Sequence, residues 1–163
     1  MPVHEEAALE WRLRLVHGAL SGTAAMAARH VWARGGAVMS DDWRRAIDLG
    51  LALAGGAELP QDPELPALLR RMAPQVGMAA VDAEAALGSE SGTAALVREI
   101  HRRTREGTYR LGRAFGASDS LKASGDRTGA RKVLEDAMAA EVVPIYRTQL
   151  QAYLNHVDDP DDT

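Results

Sequence analysis

The sequence of 163 residues contains no cysteine. Without thiols the chain can form no disulfide, supply no thiolate nucleophile and offer no cysteine ligand to zinc. Cysteine-dependent catalysis and Cys-ligated metal centres are therefore excluded as functions. A reducing compartment is allowed but not required.

Long apolar runs and a strong charge imbalance are also missing. No apolar stretch approaches the roughly 20 residues that a membrane-spanning helix needs, and the first residues lack the basic region and apolar stretch of a signal peptide. The formal net charge of −4 gives no general attraction to nucleic acid or anionic lipid. These features predict a cytoplasmic protein with no membrane partner.

Aromatic residues are scarce, whereas alanine is abundant: one Phe, three Trp and three Tyr stand against 30 Ala. Alanine is the best helix former, and strands favour β-branched and aromatic residues. The composition therefore predicts an all-α fold of closely packed helices. The length suits one domain with a short appendage.

Residues 1–38 differ from the rest of the chain. Residues 3–20 can form one short helix, and an Ala/Gly-rich stretch follows. Residues 39–43, beginning at Met39, then resemble a natural protein start. We hypothesise that Met39 is the initiator and that residues 1–38 are an annotation artefact; the alternative is a real, loosely attached helix. The helical domain is then 39–157, followed by a disordered acidic tail at 158–163.

Three short helices are predicted at the start of this domain. The first is capped by Ser40 or Asp41 and ends at Gly55-Gly56; the second runs from Asp62-Pro63 to Pro74; the third spans Ala80–Leu87. The periodicity of apolar residues predicts the inner faces of the first two. These inner residues are Trp43, Ile47 and Leu51 in the first helix and Leu65, Leu68, Leu69 and Met72 in the second; in the third helix, Val81, Ala85 and Leu87 are apolar.

The last third of the sequence predicts a long antiparallel helical hairpin that turns at residues 124–126. Six mostly apolar residues of its first helix fall on one side at 3.6 residues per turn: Leu96, Ile100, Thr104, Gly107, Leu111 and Ala114. This helix either continues or breaks near Ala117-Ser118. Asp126 caps the helix that follows, and Pro144 predicts a kink in it or the start of a new helix. The chain is thus expected to be a small helical bundle built on this hairpin.

Part of the hairpin resembles one helix pair of a tetratricopeptide repeat. The resemblance rests on residues 125–130, then Leu134, Ala137-Met138 and Pro144. In that family Gly-Asp turns the chain and a small residue lets the two helices touch. No second repeat is present here, and a stack needs at least three. The resemblance therefore implies a single helical hairpin.

A wider pattern is similar to the DUSAM domain, a paralogous family of small myxobacterial proteins. The similarity covers about residues 40–157. It rests on Trp43, residues 68–74, 82–87, 98–100 and 110–114, Gly125-Asp126, and residues 141–147. The resemblance implies a helical domain of unknown function and transfers no catalytic residue.

Motifs for catalysis, metals or cofactors are absent from the sequence. No helix places two of the five histidines three or four residues apart, so HExxH and similar metal sites are excluded. No GxSxG elbow is present, and capping accounts for the serines at helix starts and turns. The run 88–93 precedes a helix and could hold a phosphate, but it lacks the P-loop lysine. We predict no enzyme and no cofactor.

One helix face carries a candidate site for an anionic partner. Arg98, Arg102, Arg105 and Arg113 lie in a narrow arc opposite the apolar side, with Tyr109 among them. Guanidinium groups around an aromatic ring can bind phosphates or a carboxylate-rich partner.

The alternative is that these arginines form a solvated helix face or pair with Glu135, Asp136 and Glu141. This alternative is favoured, because runs of charged residues are usually solvated faces. The sequence therefore predicts a non-enzymatic interaction module, an adaptor or small regulatory protein with an unknown protein partner. The other hypothesis is a binder of an anionic partner or, less favoured, nucleic acid, through the Arg98–Arg113 face. An enzyme of unfamiliar type remains a third hypothesis.

Overall fold

Six α-helices make up residues 40–158, the part of the chain described in this computed structural model. Helices cover 79% of these residues, and none of them lies in a strand. The predicted all-α fold class is confirmed. The helices are α1 (Asp41–Ala54), α2 (Leu65–Gln75), α3 (Ala80–Leu87), α4 (Glu90–Ala123), α5 (Arg127–Ala140) and α6 (Pro144–His156). The hypotheses about residues 1–38 and Met39 lie outside the described residues, and so does the predicted tail 158–163 except for Asp158.

The described residues group into two compact units. The first unit contains residues 40–108 and 140–148, and the second contains residues 109–139 and 149–158. Helices α4 and α6 contribute residues to both units, and the last residue of α5, Ala140, belongs to the first unit.

In the first unit, α1 begins at a side-chain cap. Ser40 Oγ accepts a hydrogen bond from the Trp43 N–H at 3.2 Å, which satisfies one of the free donors of the first turn. Ser40, the first of the two predicted caps, is therefore the one used. Trp43 and Ile47 are buried as predicted.

The predicted burial of Leu51 is wrong, since its side chain is 55% exposed. The buried arc of α1 is centred near Gly50, which packs so closely on His101 that a Cβ would overlap the imidazole. Each residue rotates by about 100° around a helix. Leu51 therefore lies about 100° away from the centre of this arc.

The predicted start of α2 is also wrong by about two residues. Asp62 Oδ1 accepts from the Glu64 N–H at 2.9 Å, so Asp62 forms a turn before the helix and α2 begins at Leu65. Pro74 lies in the last turn, and the helix ends one residue later. Gly77, with φ +73°, then reverses the chain. The four predicted inner residues of α2 are buried.

Helix α3 has the predicted bounds, Ala80–Leu87. Only Ala83 is buried, and Val81 is 73% exposed. A bidentate ion pair joins α3 to α2: Arg70 donates to the Glu84 carboxylate at 2.5 and 3.1 Å. The contact between α3 and α2 therefore includes an exposed ion pair.

Helix α4 is continuous, so the possible break near Ala117-Ser118 is absent. Ser89 Oγ accepts from the Gly92 N–H at 3.0 Å and caps its start. All the apolar residues predicted for its inner side are buried. Ser118 continues this side and is 0% exposed.

The predicted turn at residues 124–126 is confirmed. Gly125 has φ +85°; its N–H donates to the Lys122 carbonyl, and the Asp126 N–H donates to the Leu121 carbonyl. These two bonds form a Schellman motif, which favours glycine at the left-handed position. Asp126 Oδ1 then accepts from the Gly129 N–H at 2.8 Å and caps α5.

Of the two alternatives at Pro144, the structure has the new helix. Helix α5 ends at Ala140, and α6 begins at Pro144 after three non-helical residues. Proline suits a first helical position because the missing N–H would lack an intrahelical acceptor there.

Candidate functional site

The five residues predicted as a candidate site lie on α4 with exposed side chains. We call Arg98, Arg102, Arg105, Tyr109 and Arg113 the basic face. Tyr109 is 41% exposed, which is high for a large aromatic residue. The side chains face outward because the opposite side of α4 carries the apolar residues.

Arg102 is already bound by two carboxylates of its own helix. It donates to both oxygens of Glu99 at 2.8 and 2.7 Å and to Glu106 at 2.6 Å. Hydrogen bonds from Arg102 and then Arg103 hold the pKa of the Glu99 carboxyl down at about 2. Arg102 therefore offers little free charge to an outside anion.

Arg103, next to Arg102, joins α4 to the end of α2. Its Nε donates to Glu99 at 2.7 Å, and its Nη1 donates to the carbonyls of Val76 and Gly77 at 3.2 and 2.8 Å. Those carbonyls belong to the helix terminus, where intrahelical donors are lacking. Arg103 therefore has a structural role.

Arg98 and Arg113 form no ion pair with any residue from 40 to 158. The alternative partners Glu135 and Asp136 instead lie near basic residues of α5: Glu135 is 4.0 Å from Arg131, and Asp136 is 3.0 Å from Lys132. An outside anion could thus reach Arg98 or Arg113 without displacing an ion pair formed by residues 40–158.

A buried polar cluster in the first unit was not predicted. We call Glu141, Thr104, Thr108 and Tyr146 the Glu141 cluster. Glu141 is 2% exposed, and its Oε1 accepts from the N–H groups of Val142 and Val143 at 2.9 and 2.8 Å. This carboxylate thereby satisfies backbone donors between α5 and α6.

The phenol of Tyr146 completes this cluster. Its hydroxyl lies 3.1 Å from Thr108 Oγ1, which donates to the Thr104 carbonyl at 2.9 Å. Burial raises the pKa of Tyr146 to about 12. The phenol therefore stays protonated near neutral pH and cannot act as a base.

Two buried polar atoms of the second unit have no hydrogen-bond partner, the Ser118 hydroxyl and the Gln149 amide oxygen. A serine nucleophile needs a hydrogen-bonded base to take its proton. Since Ser118 bonds to no such group, its burial does not indicate catalysis.

Histidine and carboxylate groups do not assemble into a metal site in the described part of the chain. No group of three or more His, Asp or Glu residues there could hold an ion. Burial lowers the pKa of His101, with Arg105 adding to the effect. His4, His17 and His30 lie outside the described residues.

Two of the backbone donors in the phosphate hypothesis for residues 88–93 are already used. The N–H of Gly92 donates to Ser89 Oγ, and the N–H of Thr93 donates to the Ser89 carbonyl at 2.9 Å. A bound phosphate would have to displace these capping bonds.

A surface cavity of about 390 Å³ lies between the α1–α2 loop and the start of α4. Its lining is mostly proline and leucine, with the carboxylates Asp62 and Glu90. Arg45 already pairs with Asp62. The cavity presents no group of convergent catalytic residues.

The described helices are all too short or too polar to cross a membrane.

A family model covers most of the chain. The model, described as Protein of unknown function (DUF2379), matches residues 41–157. The chain therefore belongs to this family. The match contains all six described helices and the whole basic face. No curated protein and no solved structure matches the chain.

Proposed function

We propose that this member of the family is a non-enzymatic helical interaction module, an adaptor or small regulatory protein that binds a protein partner. The observation that carries the proposal is that the buried polar groups of the Glu141 cluster are engaged in structural hydrogen bonds. Its polar groups bond to backbone or to one another and hold helices together. A scaffold of this kind offers its surface for function.

Exposed apolar side chains support binding to a protein. In the first unit Leu51, Val81 and Val142 are 55%, 73% and 52% exposed. Single exposed apolar residues are common on protein surfaces, but they are also the groups that a partner buries. They are therefore the first positions for an interface screen.

Crosslinking in the source cell followed by reconstitution tests this proposal. We expect a stoichiometric complex from two purified components, weakened by Val81→Asp or Leu51→Asp. Arg44→Asp is the matched control, since Arg44 is an exposed residue of α1 whose pair with Asp41 is local. A chain that turns over a small molecule without any partner would contradict the proposal.

A second candidate function is binding of an anionic partner through the basic face. Arg98 and Arg113 favour it, because neither forms an ion pair within residues 40–158. The neutralisation of Arg102 by Glu99 and Glu106 weakens it. Nucleic acid is the less favoured partner, since these two carboxylates repel a polyphosphate.

A salt-dependent titration distinguishes the two candidates. The double variant Arg98→Ala/Arg113→Ala should weaken binding of an acidic partner and reduce the dependence of its affinity on salt. Arg44→Ala/Lys132→Ala, which also removes two exposed cations whose pairs lie within their own helices, is the matched control for the change in charge. Equal binding by the double variant and the wild type would remove this candidate.

Three finer assignments belong to the same proposal. The matched stretch 41–157 coincides with the one that resembles the DUSAM domain, which supports equating the two families. The Schellman turn at Gly125 and the small residues Gly129 and Ala130 support a tetratricopeptide-like hairpin. A crystal structure superposed on one such repeat tests the second assignment, and a cytoplasmic location is tested by fractionation.

A further inference from the structure

Two arginines of α5 hold the last described residue of the chain. Arg127 and Arg131 are four residues apart, so they lie on the same side of the helix. Arg127 Nη1 donates to the main-chain carbonyl of Asp158 at 2.5 Å, and Arg131 Nη2 donates to its carboxylate. We call Arg127 and Arg131 the α5 arginine pair. All three residues belong to the second unit.

This contact is exposed and can exchange. The Arg131 and Asp158 side chains are 41% and 57% exposed. Exposed ion pairs contribute little, since water and salt screen them. A second carboxylate can therefore compete with Asp158 for the same guanidinium groups.

The N-terminus of α5 adds to the attraction of this site for a carboxylate. Arg127 is the first residue of α5, where the free N–H groups and the helix dipole favour a negative charge. Asp126 caps this helix and uses its carboxylate on the Gly129 N–H. The carboxylates at Arg131 come instead from Asp158, which it binds directly, and from Glu135 at 4.0 Å.

The family boundary separates the two sides of this contact. The match at residues 41–157 includes both arginines, and Asp158 follows it directly. The arginines are thus part of the matched domain, whereas the aspartate that they bind is not.

We propose that the α5 arginine pair is a binding site for an acidic peptide segment of a partner protein, occupied by Asp158 in the free chain. The inference goes beyond the proposed function because it names a partner chemistry and a surface separate from the basic face. Asp158 acts as an internal competitor, so the site becomes available when the partner's carboxylates displace it.

The two contacts favour a peptide over a phosphate polymer. Arg131 binds a carboxylate, but Arg127 binds a main-chain carbonyl. A peptide offers both groups at one residue. A nucleic acid offers phosphate oxygens and no equivalent backbone carbonyl beside each charge.

Peptide titrations with full-length variants test the proposal. The probe is a fluorescein-labelled hexaaspartate peptide, followed by fluorescence anisotropy at low salt. In the tail-neutral variant, Asp158, Asp159, Asp161 and Asp162 are all replaced by Asn. We expect this variant to bind the probe about twofold to fivefold more tightly than the wild type, as displacement of an exposed ion pair predicts.

Two further substitutions, each made in the tail-neutral variant, locate the site. Arg131→Ala should reverse the gain. Lys132→Ala is the matched control: Lys132 is the neighbouring exposed cation and pairs with Asp136, so its loss should preserve most of the gain. Circular dichroism of each variant verifies the fold.

Three results would overturn the proposal. They are no gain in the tail-neutral variant, an equal loss with Arg131→Ala and Lys132→Ala, or an equal gain for a 20-nucleotide single strand in place of the peptide. The third result assigns the pair to general anion attraction. None of these results bears on the interaction proposed for Leu51 and Val81, so the two proposals fail separately.

Discussion

Gly107 of α4 lies against the ring of Tyr146 of α6, with no room for a Cβ between them. The Tyr146 ring also meets Trp43 edge-on, with ring centroids 6.2 Å apart. The close approach brings its hydroxyl within reach of Thr108. Packing and hydrogen bonding around this tyrosine therefore depend on one residue without a side chain.

Gly107→Ala is expected to destabilise the protein, although alanine is the better helix former. Overpacking a core costs about 1–3 kcal/mol, which outweighs the roughly 1 kcal/mol gained in helix propensity. Urea denaturation measures the change. In a double-mutant cycle with Tyr146→Ala, the two changes should couple by at least about 1 kcal/mol. Additive effects would show that the ring and the glycine do not limit each other.

Arg103→Ala is expected to destabilise the protein by about 1–3 kcal/mol, because it leaves helix-terminal carbonyls without a charged donor. Arg102→Ala is the matched control. Its side chain is 52% exposed and pairs only within α4, so its loss should cost no more than about 1 kcal/mol. Thermal denaturation of both variants gives the comparison. Equal losses would contradict the structural role of Arg103.

The ion pairs of Glu99 predict a loss of stability in acid. The pKa of Glu99 is about 2 in the folded chain, and the pKa of an unfolded glutamate is about 4.3. A depressed pKa stabilises the fold above the unfolded value, and this contribution is lost as the pH falls from about 4.5 towards 2. The stability difference between wild type and Glu99→Gln should shrink over that range. A difference that is constant from pH 6 to pH 2.5 would contradict the assignment.

Glu141→Ala is expected to cost at least about 2 kcal/mol, since it leaves the N–H groups of Val142 and Val143 without an acceptor. Glu135→Ala is the control at an exposed position of α5 and should change stability by no more than about 0.5 kcal/mol. Glu141→Gln, which retains one acceptor oxygen, should fall between them. If Glu141→Ala is as stable as Glu135→Ala, the segment between α5 and α6 has another acceptor.

Helix boundaries were predicted best where local chemistry decides them. Ser40, Gly125 and Asp126 act on backbone groups within three to five residues. Pro144 likewise excludes the interior of a helix through its own ring. Such signals are visible in the sequence because both partners are close along the chain.

Burial was predicted less well where neighbouring helices decide it. Leu51 is apolar but lies outside the arc centred on Gly50, and the position of that arc depends on His101, fifty-one residues later. The burial of Glu141 was not predicted. A lone glutamate normally indicates exposure, and its burial follows from backbone donors of a non-helical segment.

The exposure of the five basic-face residues was predicted, but the pairing of Arg102 with Glu99 and Glu106 was not. Periodicity places the basic face opposite the apolar side of α4, and the structure agrees. The neutralisation of Arg102 depends on the side-chain geometry of Glu99 and Glu106, which spacing alone does not determine. The α5 arginine pair was missed, because its contact with Asp158 spans about thirty residues.

The double attachment of Arg103 has a consequence for anyone who scans α4 for a binding surface. Neutralising every guanidinium along this helix would also release the end of α2. Loss of binding in such a screen would then result from damage to the scaffold as readily as from the loss of a ligand contact. Leaving Arg103 in place keeps these two causes apart.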